Sequence, residues 1–426
     1  MQEKIEPRTL KGFRDFTATE QRARQALFGR IQNTFELFGF SPLSTPALEY
    51  KEILMGKYGD EEKLVYSFVD NGGREVAMRY DLTVPLARYV AQNYGALTLP
   101  FKRYQIAPVW RAENTQKGRL REFYQCDVDI VGESSVFADA EVIACLSRAL
   151  ENIGVLNYVF RVNSRQLFGL LSEDEQEVLA AIRCVDKLDK VGLAGVQQLL
   201  VERNVSEGMQ QILTSILSAP TGEAALEVYA QVSPRAAEVC AGVRLVIDSA
   251  IELGVPANKI VFDPSIARGL DYYSGTVFEC ALVGVEGYGS IAGGGRYDGL
   301  LSTYTTESVP AVGGALGVDR LYEYLEAAGL LVVPSGTQVV VAAVAGVPSS
   351  RVFALVQRLR TQGIAVEPYF SEAKLEKQYK YAEKKGIPYM IVPQEQTPKL
   401  LLRTLSTRTN VELHEDEVIS LLTSTT

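Results

Sequence analysis

The hydrophobic and polar positions of residues 98–131 predict a long β-hairpin. Its two arms, 99–113 and 119–132, are rich in aromatic and β-branched residues. A polar, basic segment at 114–118 separates them. Two β-rich runs joined by such a loop are typical of strands that pair with each other. We therefore expect a sheet-forming region in this part of the chain.

The second arm of the hairpin alternates between apolar and polar residues, which is the pattern of a strand with two different faces. The even positions form an apolar face: Tyr124, Cys126, Val128 and Ile130. The odd positions form a mostly polar face: Arg121, Phe123, Gln125, Asp127 and Asp129. Two interpretations are open. The polar face lies in water, as in many antiparallel sheets, or it is the floor of a ligand-binding site.

The remaining segments differ in character. Residues from about 165 to 235 have helical periodicity and mixed charges, which predicts a helical insertion to which no chemistry is assigned. Residues 337–426 alternate β-rich and helical segments, which is typical of a small α/β domain. We therefore expect one domain over 1–330, a linker over 331–336 and a second domain over 337–426.

Composition and charge narrow the function classes. The chain of 426 residues has a net charge of −9, and its one histidine, His414, excludes multi-histidine metal sites and Ser-His-Asp triads. From Ser335 onward there are 11 Lys and Arg against 9 Asp and Glu, so the acidic excess lies in the first domain. Five cysteines without a C-x-x-C pair, no secretory segment and no apolar run of about 18 residues favour a cytoplasmic protein without a membrane span.

Arginines and glycines are the first candidates for chemistry. Arginine pairs bidentately with phosphate, and candidates border glycine-rich or polar-strand sequence: Arg111, Arg119, Arg121, Arg268 and Arg320. Any one of them alone favours a surface ion pair, whereas the group together favours a polyphosphate site. The runs Gly293–Gly295 and Gly313–Gly317 indicate either close backbone approach or simple packing. Neither run is a P-loop or a dinucleotide-binding motif.

Two further groups have both a functional and a plain structural interpretation. The first could bind a ligand with an ammonium and a second polar ring, or consist of solvated and structural residues: Asp81, Thr83, Gln125, Asp129, Tyr272 and Tyr273. The second is basic and forms either a solvated helix face or a phosphate contact: Lys374, Lys377, Lys380, Lys384 and Lys385.

Taken in order, these motifs resemble the class II aminoacyl-tRNA synthetases, and specifically the histidyl-tRNA synthetase family. Lys11–Phe16 is similar to the family's opening segment, and the stretch around Pro46 resembles the motif at its dimer interface. The hairpin with Arg111 and the segment with Arg320 resemble the second and third class motifs. RGLDYY and GGGRYD resemble the two peptides characteristic of the histidine enzymes.

The resemblance implies an α+β fold: a class II antiparallel sheet flanked by helices, with a helical insertion and a C-terminal α/β anticodon-binding domain. It implies a homodimer that activates L-histidine with ATP, accompanied by Mg²⁺, and transfers it to the 3′ end of tRNA(His). No metal site in the protein is expected. The alternative within the resemblance is a non-catalytic regulatory subunit of ATP phosphoribosyltransferase, a class that typically lacks the anticodon-binding domain.

The resemblance also implies roles for individual residues. Asp81, Thr83 and Gln125 would hold the ammonium of histidine, while Asp129, Tyr272 and Tyr273 would recognise its imidazole. Arg111 and Arg268 would be the catalytic residues, in contact with both histidine and the α-phosphate. Arg111, Arg119 and Arg320 would bind ATP. The tRNA contacts would be made by four residues: Gln116, Lys117, Lys377 and Lys384.

Overall fold

The computed structural model describes residues 5–115, 119–267, 272–333 and 336–424, apart from the side chain of Asp60. The chain forms two compact units. The first consists of the residues up to Thr17 together with Arg24–Val332, and the second of Ala18–Ala23 together with Val333–Thr426.

The described strands, in chain order, are β1 Ser41–Pro42, β2 Leu48–Tyr50, β3 Ser67–Val69, β4 Glu75–Met78, β5 Phe101–Trp110, β6 Glu122–Val131, β7 Tyr158–Ser164, β8 Ile260–Phe262, β9 Thr276–Leu282, β10 Ser290–Arg296, β11 Ala311–Gly317, β12 Val339–Val341, β13 Val366–Pro368, β14 Tyr389–Pro393, β15 Leu400–Thr404 and β16 Thr409–Leu413.

The described α-helices are α1 Ala18–Leu37, α2 Lys51–Leu54, α3 Thr83–Asn93, α4 Val136–Asn152, α5 Arg165–Gly169, α6 Glu175–Val185, α7 Leu188–Glu202, α8 Glu207–Ser218, α9 Glu223–Ala230, α10 Pro234–Glu252, α11 Val318–Ala327, α12 Ser349–Thr361, α13 Leu375–Lys384 and α14 Glu415–Ser424.

A large sheet organises the first unit. Its strands within the described ranges lie in the order β1-β5-β6-β11-β10-β9-β7-β8. Pairing is antiparallel except at the two edges, where β1 runs parallel to β5 and β8 parallel to β7. The predicted hairpin is confirmed, since β5 and β6 pair over their full length with Gln105 opposite Asp127.

The glycine runs allow β10 and β11 to lie in close contact. A Cβ on Gly294 would overlap the carbonyl oxygen of Gly313 and lie 2.5 Å from the Cα of Gly314. A Cβ on Gly314 would lie 2.7 Å from the side chain of Leu146 on α4. Close backbone approach and helix packing therefore both require these glycines.

The two faces of β6 have different neighbours, and both are buried from Cys126 to Val131. The apolar face contributes Cys126 and Val128, each fully buried, to the core on which α4 lies. On the opposite face Asp127 is 3% and Asp129 2% exposed. The interpretation of a polar face in water is therefore wrong for Asp127 and Asp129, while the alternative of a ligand-binding floor stays a prediction.

The predicted helical insertion is present as helices α5 to α9, followed by the long helix α10. Apolar side chains from α5 to α8 form a core that belongs to this region, including Phe168, Val185, Leu200 and Leu213. Helix α7 is broken at Gly192, where φ is 68° and ψ is 174°. The break separates the first turn, with Lys190, from the rest of the helix.

The second unit has its own sheet, with its described strands in the order β13-β12-β14-β15-β16. Alternate residues of β12 enter two cores: Val339 and Val341 pack with α12 and α14, and Val340 packs with Ala382 of α13. The predicted alternation of strands and helices is confirmed. In the described part of either unit, no helix is long and apolar enough to cross a membrane.

Candidate active site

Two adjoining cavities of about 450 Å³ each open on the polar face of the large sheet. Both are lined by Arg111, Arg119 and Gln125. One cavity extends towards Asp81 and a group of tyrosines, and the other towards Arg320. The site is therefore a single cleft with a carboxylate-rich end and an arginine-rich end.

Asp81 is fixed at the carboxylate-rich end by the start of α3. Its Oδ1 accepts hydrogen bonds from the backbone N–H groups of Thr83 (3.1 Å) and Val84 (3.0 Å), the first two residues of this helix. The hydroxyls of Tyr58 and Tyr272 donate to its two oxygens at 3.3 and 3.4 Å. Burial raises the pKa of Asp81, while the helix N–H groups act in the opposite direction. A cationic ligand would compensate for the cost of burial.

The floor between the two ends is the polar face of β6. Gln125 and Asp127 both line the cavity, and Gln125 Oε1 and Asp127 Oδ1 are buried without a hydrogen-bond partner. Asp129 does not line it. Its Oδ2 lies 2.7 Å from the guanidinium of the fully buried Arg103, and its Oδ1 accepts a hydrogen bond of 2.5 Å from Tyr297. Asp129 therefore lies beneath the floor.

Three tyrosines form an aromatic wall at the carboxylate-rich end: Tyr272, Tyr273 and Tyr297. The ring centroids of Tyr272 and Tyr273 are 4.8 Å apart, and those of Tyr272 and Tyr297 are 6.0 Å apart. Burial raises the pKa of Tyr272 and of Tyr297 well above the usual value, so both hydroxyls keep their protons. The wall offers apolar ring faces and hydroxyl groups to a planar polar ligand.

Arg111 occupies the junction of the two cavities. Its Nε donates to the carbonyl oxygen of Tyr80 at 3.1 Å, and its guanidinium carbon lies 4.3 Å from the centre of the Tyr80 ring and 5.1 Å from that of Phe123. Glu113, at 4.0 Å, is a distant carboxylate for an ion pair. The guanidinium is thus held in place by the backbone and by two rings, which leaves it available to an anion.

The lining of the arginine-rich end contains both cations and carboxylates: Arg111, Arg119, Lys190, Arg320, Glu113, Asp186, Asp189, Glu279 and Asp319. Arg320 donates to the carbonyl oxygen of Ser290. Burial and the neighbouring positive charges of Arg119 and Arg111 lower the pKa of Arg320. Arg119 has Glu113 at 3.5 Å. Three guanidinium groups around one cavity, those of Arg111, Arg119 and Arg320, are an arrangement suited to polyphosphate binding.

The structure thus brings most of the predicted site residues into one cleft: Asp81, Thr83, Arg111, Arg119, Gln125, Tyr272, Tyr273 and Arg320. Asp129 lies behind it, and Arg268, Gln116 and Lys117 lie outside the described residues. Lys377 and Lys384 are exposed on α13 of the second unit.

Sequence reasoning assigned no role to several residues that line the cleft: Glu61, Glu113, Asp127, Asp186, Lys190, Glu279 and Tyr297. For Asp127 the alternation of β6 was a usable signal, because it placed the residue on the face shared with Gln125. For Asp186 and Lys190 there was no such signal, because a charged helical segment does not indicate that it packs near a sheet formed elsewhere in the chain.

Comparison with known proteins decides the family. The family profile described as histidyl-tRNA synthetase matches residues 12–321. The chain belongs to the histidyl-tRNA synthetase family. A second profile, described as an anticodon binding domain, matches residues 338–425. Both the family resemblance and the expected class II α+β fold are thereby confirmed.

Relatives in the family cover almost the whole chain. It is 40% identical to the histidine–tRNA ligase of Treponema denticola and 39% identical to that of Rhodopirellula baltica. Each alignment covers 91% of this chain, with 89% and 90% of the relatives covered. The crystal structure of histidyl-tRNA synthetase from Nostoc sp. PCC 7120 has a TM-score of 0.85 at 31% identity, covering 99% of this chain and 100% of the other.

Proposed function

We propose that this chain is a histidine–tRNA ligase, which activates L-histidine with ATP to histidyl-adenylate and then transfers the histidyl group to the 3′ end of tRNA(His). The observation that carries the proposal is a single cleft in which a carboxylate- and tyrosine-lined cavity adjoins an arginine-lined one. Such a cleft brings an ammonium-bearing amino acid and a polyphosphate together. The match to an anticodon binding domain favours the ligase over the regulatory-subunit alternative.

At the carboxylate-rich end, Asp81, Thr83 and Gln125 hold the ammonium of histidine. Tyr272 and Tyr273 recognise its ring. Asp129 acts on the same ring through Tyr297, whose hydroxyl donates a hydrogen bond to Asp129. Recognition by buried polar groups is selective, because an amino acid without matching donors leaves those groups unpaired.

At the other end, Arg119 and Arg320 hold the phosphates of ATP, and Arg111 lies between the α-phosphate and the carboxylate of histidine. That carboxylate attacks the α-phosphorus in line, and pyrophosphate leaves. Because little proton transfer is needed, positioning and charge stabilisation by Arg111 and Arg268 are sufficient for the reaction. The same chemistry explains how the enzyme works without a catalytic histidine.

Mg²⁺ enters this scheme with ATP. Within the described ranges, no group of three or more His, Cys, Asp and Glu side chains is placed to hold a metal ion. Bound to the phosphates, the ion adds positive charge to that of Arg119 and Arg320.

We propose the catalytic domain at 1–330, the linker at 331–336 and the anticodon-binding domain at 337–426. Gln116 and Lys117 contact the acceptor end of the tRNA, and Lys377 and Lys384 contact its phosphates. On α13 both lysines are exposed, whereas the neighbouring Lys385 is paired with Glu367 at 2.7 Å. Lys377 and Lys384 therefore remain available to RNA.

We also propose a cytoplasmic homodimer. The small sheet β2-β4-β3 exposes four large hydrophobic side chains, which in a dimer would be covered: Leu48, Tyr50, Phe68 and Val69. All five cysteines are buried free thiols, as suits a reducing compartment.

Pyrophosphate exchange into ATP, measured with each of the twenty amino acids in turn, tests this function. We expect exchange with histidine alone, and almost none in the variant Arg268→Ala. The matched control Arg235→Ala changes an exposed arginine of α10 and should exchange at the wild-type rate. Wild-type exchange by Arg268→Ala would contradict the catalytic assignment.

A further inference from the structure

Arg24 is a buried cation behind the wall of the arginine-rich cavity. It lies on α1, is 2% exposed, and is not in the lining of either cavity. A buried charge is costly unless a group of opposite charge lies beside it. That group is Asp319 in the first turn of α11, whose Oδ1 accepts a hydrogen bond from Arg24. Any effect of Arg24 on a ligand in the cavity must therefore pass through Asp319.

Asp319 places a negative charge where the proposed function places the phosphates of ATP. It lines the cavity together with Arg119 and the adjacent Arg320, although only 12% of its side chain is exposed. Its second oxygen, Oδ2, accepts a hydrogen bond of 2.8 Å from the backbone N–H of Tyr124 on β6. Because that donor is neutral, it does not cancel the charge of the carboxylate. Without a cation beside it, Asp319 would repel a polyphosphate.

Aromatic side chains surround the guanidinium group of Arg24. Its carbon lies 4.0 to 6.0 Å from the centres of four rings, those of Phe16, Phe28, Tyr124 and Tyr322. These distances allow cation–π attraction. The rings also exclude water, and the lower dielectric constant strengthens the attraction between the guanidinium and its carboxylate partner.

Glu113, another carboxylate of the same cavity, is neutralised in a different way. Its partner Arg119, at 3.5 Å, is itself in the lining. A phosphate and Glu113 therefore compete for the same guanidinium group. Arg24, by contrast, is buried behind the wall, so its charge remains with Asp319 when a ligand enters the cavity.

We propose that Arg24 is a positioning residue for ATP, which cancels the negative charge of Asp319 from behind the cavity wall and so lets the phosphates lie beside Arg119 and Arg320. This inference rests on the proposed function, because it assumes that ATP occupies the cavity. A purely structural ion pair would only tie α1 to α11. The two roles can be separated, because neutralisation depends on the net charge of the pair, whereas a structural tie depends on the bond between its members.

Four forms of the full chain separate these roles: the wild type, Arg24→Met, Asp319→Asn and the double variant. Methionine fills space among the rings without a charge, and asparagine keeps an acceptor for the N–H of Tyr124. Isothermal titration calorimetry gives the Kd for ATP, and pyrophosphate exchange gives the KM for histidine.

Arg24→Met leaves the charge of Asp319 uncompensated. We therefore expect the Kd for ATP to rise about 10-fold, the size expected for one uncompensated charge beside a cavity, while the KM for histidine does not change. The double variant has also lost the ion pair, but it is neutral, so it should bind ATP with nearly the wild-type Kd. Arg30→Met, which changes an exposed arginine of the same helix, is the matched control and should bind ATP like the wild type.

A double variant that binds ATP as weakly as Arg24→Met would show that the pair only ties the helices together, and would overturn the proposal. An unchanged Kd in Arg24→Met would overturn it too. If Arg24→Met does not fold, Asp319→Asn and the double variant still differ in the charge of Arg24. The Kd should then be lower in Asp319→Asn, and equal values would count against the proposal. The proposed function fails separately, if the wild-type chain binds ATP but shows no histidine-dependent exchange.

Discussion

Replacing Gly313 by alanine should disrupt the layer beneath the cleft floor. A Cβ at this position on β11 would overlap Asp129 Oδ1 and lie 2.6 Å from its Cγ. The carboxylate must therefore rotate away from its two partners, the Tyr297 hydroxyl at 2.5 Å and the Arg103 guanidinium at 2.7 Å. Arg103 is fully buried, so it would remain as an unpaired charge in the interior.

Breaking a buried ion pair from one side costs about 3–5 kcal/mol. For a unit of this size, that corresponds to a fall in melting temperature of about 5–10 °C. Gly313→Ala should also raise the KM for histidine, because Tyr297 loses the acceptor that orients it. Thermal unfolding followed by circular dichroism measures the first effect, and histidine-dependent pyrophosphate exchange the second.

Gly317→Ala on the same strand is the matched control. Gly317 has a φ of −82°, which alanine adopts without strain. Its added Cβ would meet the Ile291 carbonyl oxygen at 3.5 Å, an ordinary contact. We expect a melting temperature close to that of the wild type. If Gly313→Ala had the same melting temperature as this control and kept the wild-type KM for histidine, the buried Arg103–Asp129–Tyr297 network would not have the role assigned to it.

Further predictions concern the insertion, the tRNA contacts and the cysteines. Lys190→Ala should raise the KM for ATP about fivefold, as expected for one lost phosphate contact, whereas Lys187→Ala should not; equal values would contradict a role for Lys190. Combined Lys377→Ala and Lys384→Ala should flatten the log–log salt dependence of tRNA binding by about 1.4–1.8, and an unchanged slope would exclude both contacts. Burial raises the pKa of all five thiols, those of Cys126, Cys145, Cys184, Cys240 and Cys280. At pH 8 the native enzyme should therefore react with a disulfide reagent far more slowly than the unfolded chain. Fast labelling of the native enzyme would contradict this.

The strands of the hairpin could be predicted because their signal is local. Alternation within β6 fixes which residues share a face, and the structure has Gln125, Asp127 and Asp129 on one side. Whether that side is exposed to solvent could not be predicted from the sequence of β6. Tyr297 packs against that side and donates a hydrogen bond to Asp129, but it lies more than 150 residues later in the chain.

The site could be predicted less completely than the fold. The resemblance grouped Asp81, Gln125 and Tyr272 correctly into one cleft. It could not show that Asp127 lines the cavity while Asp129 lies beneath the floor, because Tyr297, which is bonded to Asp129, comes from a distant part of the chain. The approach of Lys190 to the cleft likewise depends on how the insertion folds back to the sheet, and the local sequence does not encode this.

Charging of tRNA(His) tests the central claim most directly. Purified protein would be incubated with ATP, Mg²⁺, labelled histidine and a tRNA(His) transcript, with transcripts of other tRNAs as controls. The proposed function predicts that histidine accumulates on tRNA(His) alone, at a rate that falls when the arginine-rich end is altered by Arg320→Met. Exchange of pyrophosphate without transfer to tRNA(His), or efficient charging of a different tRNA, would contradict it.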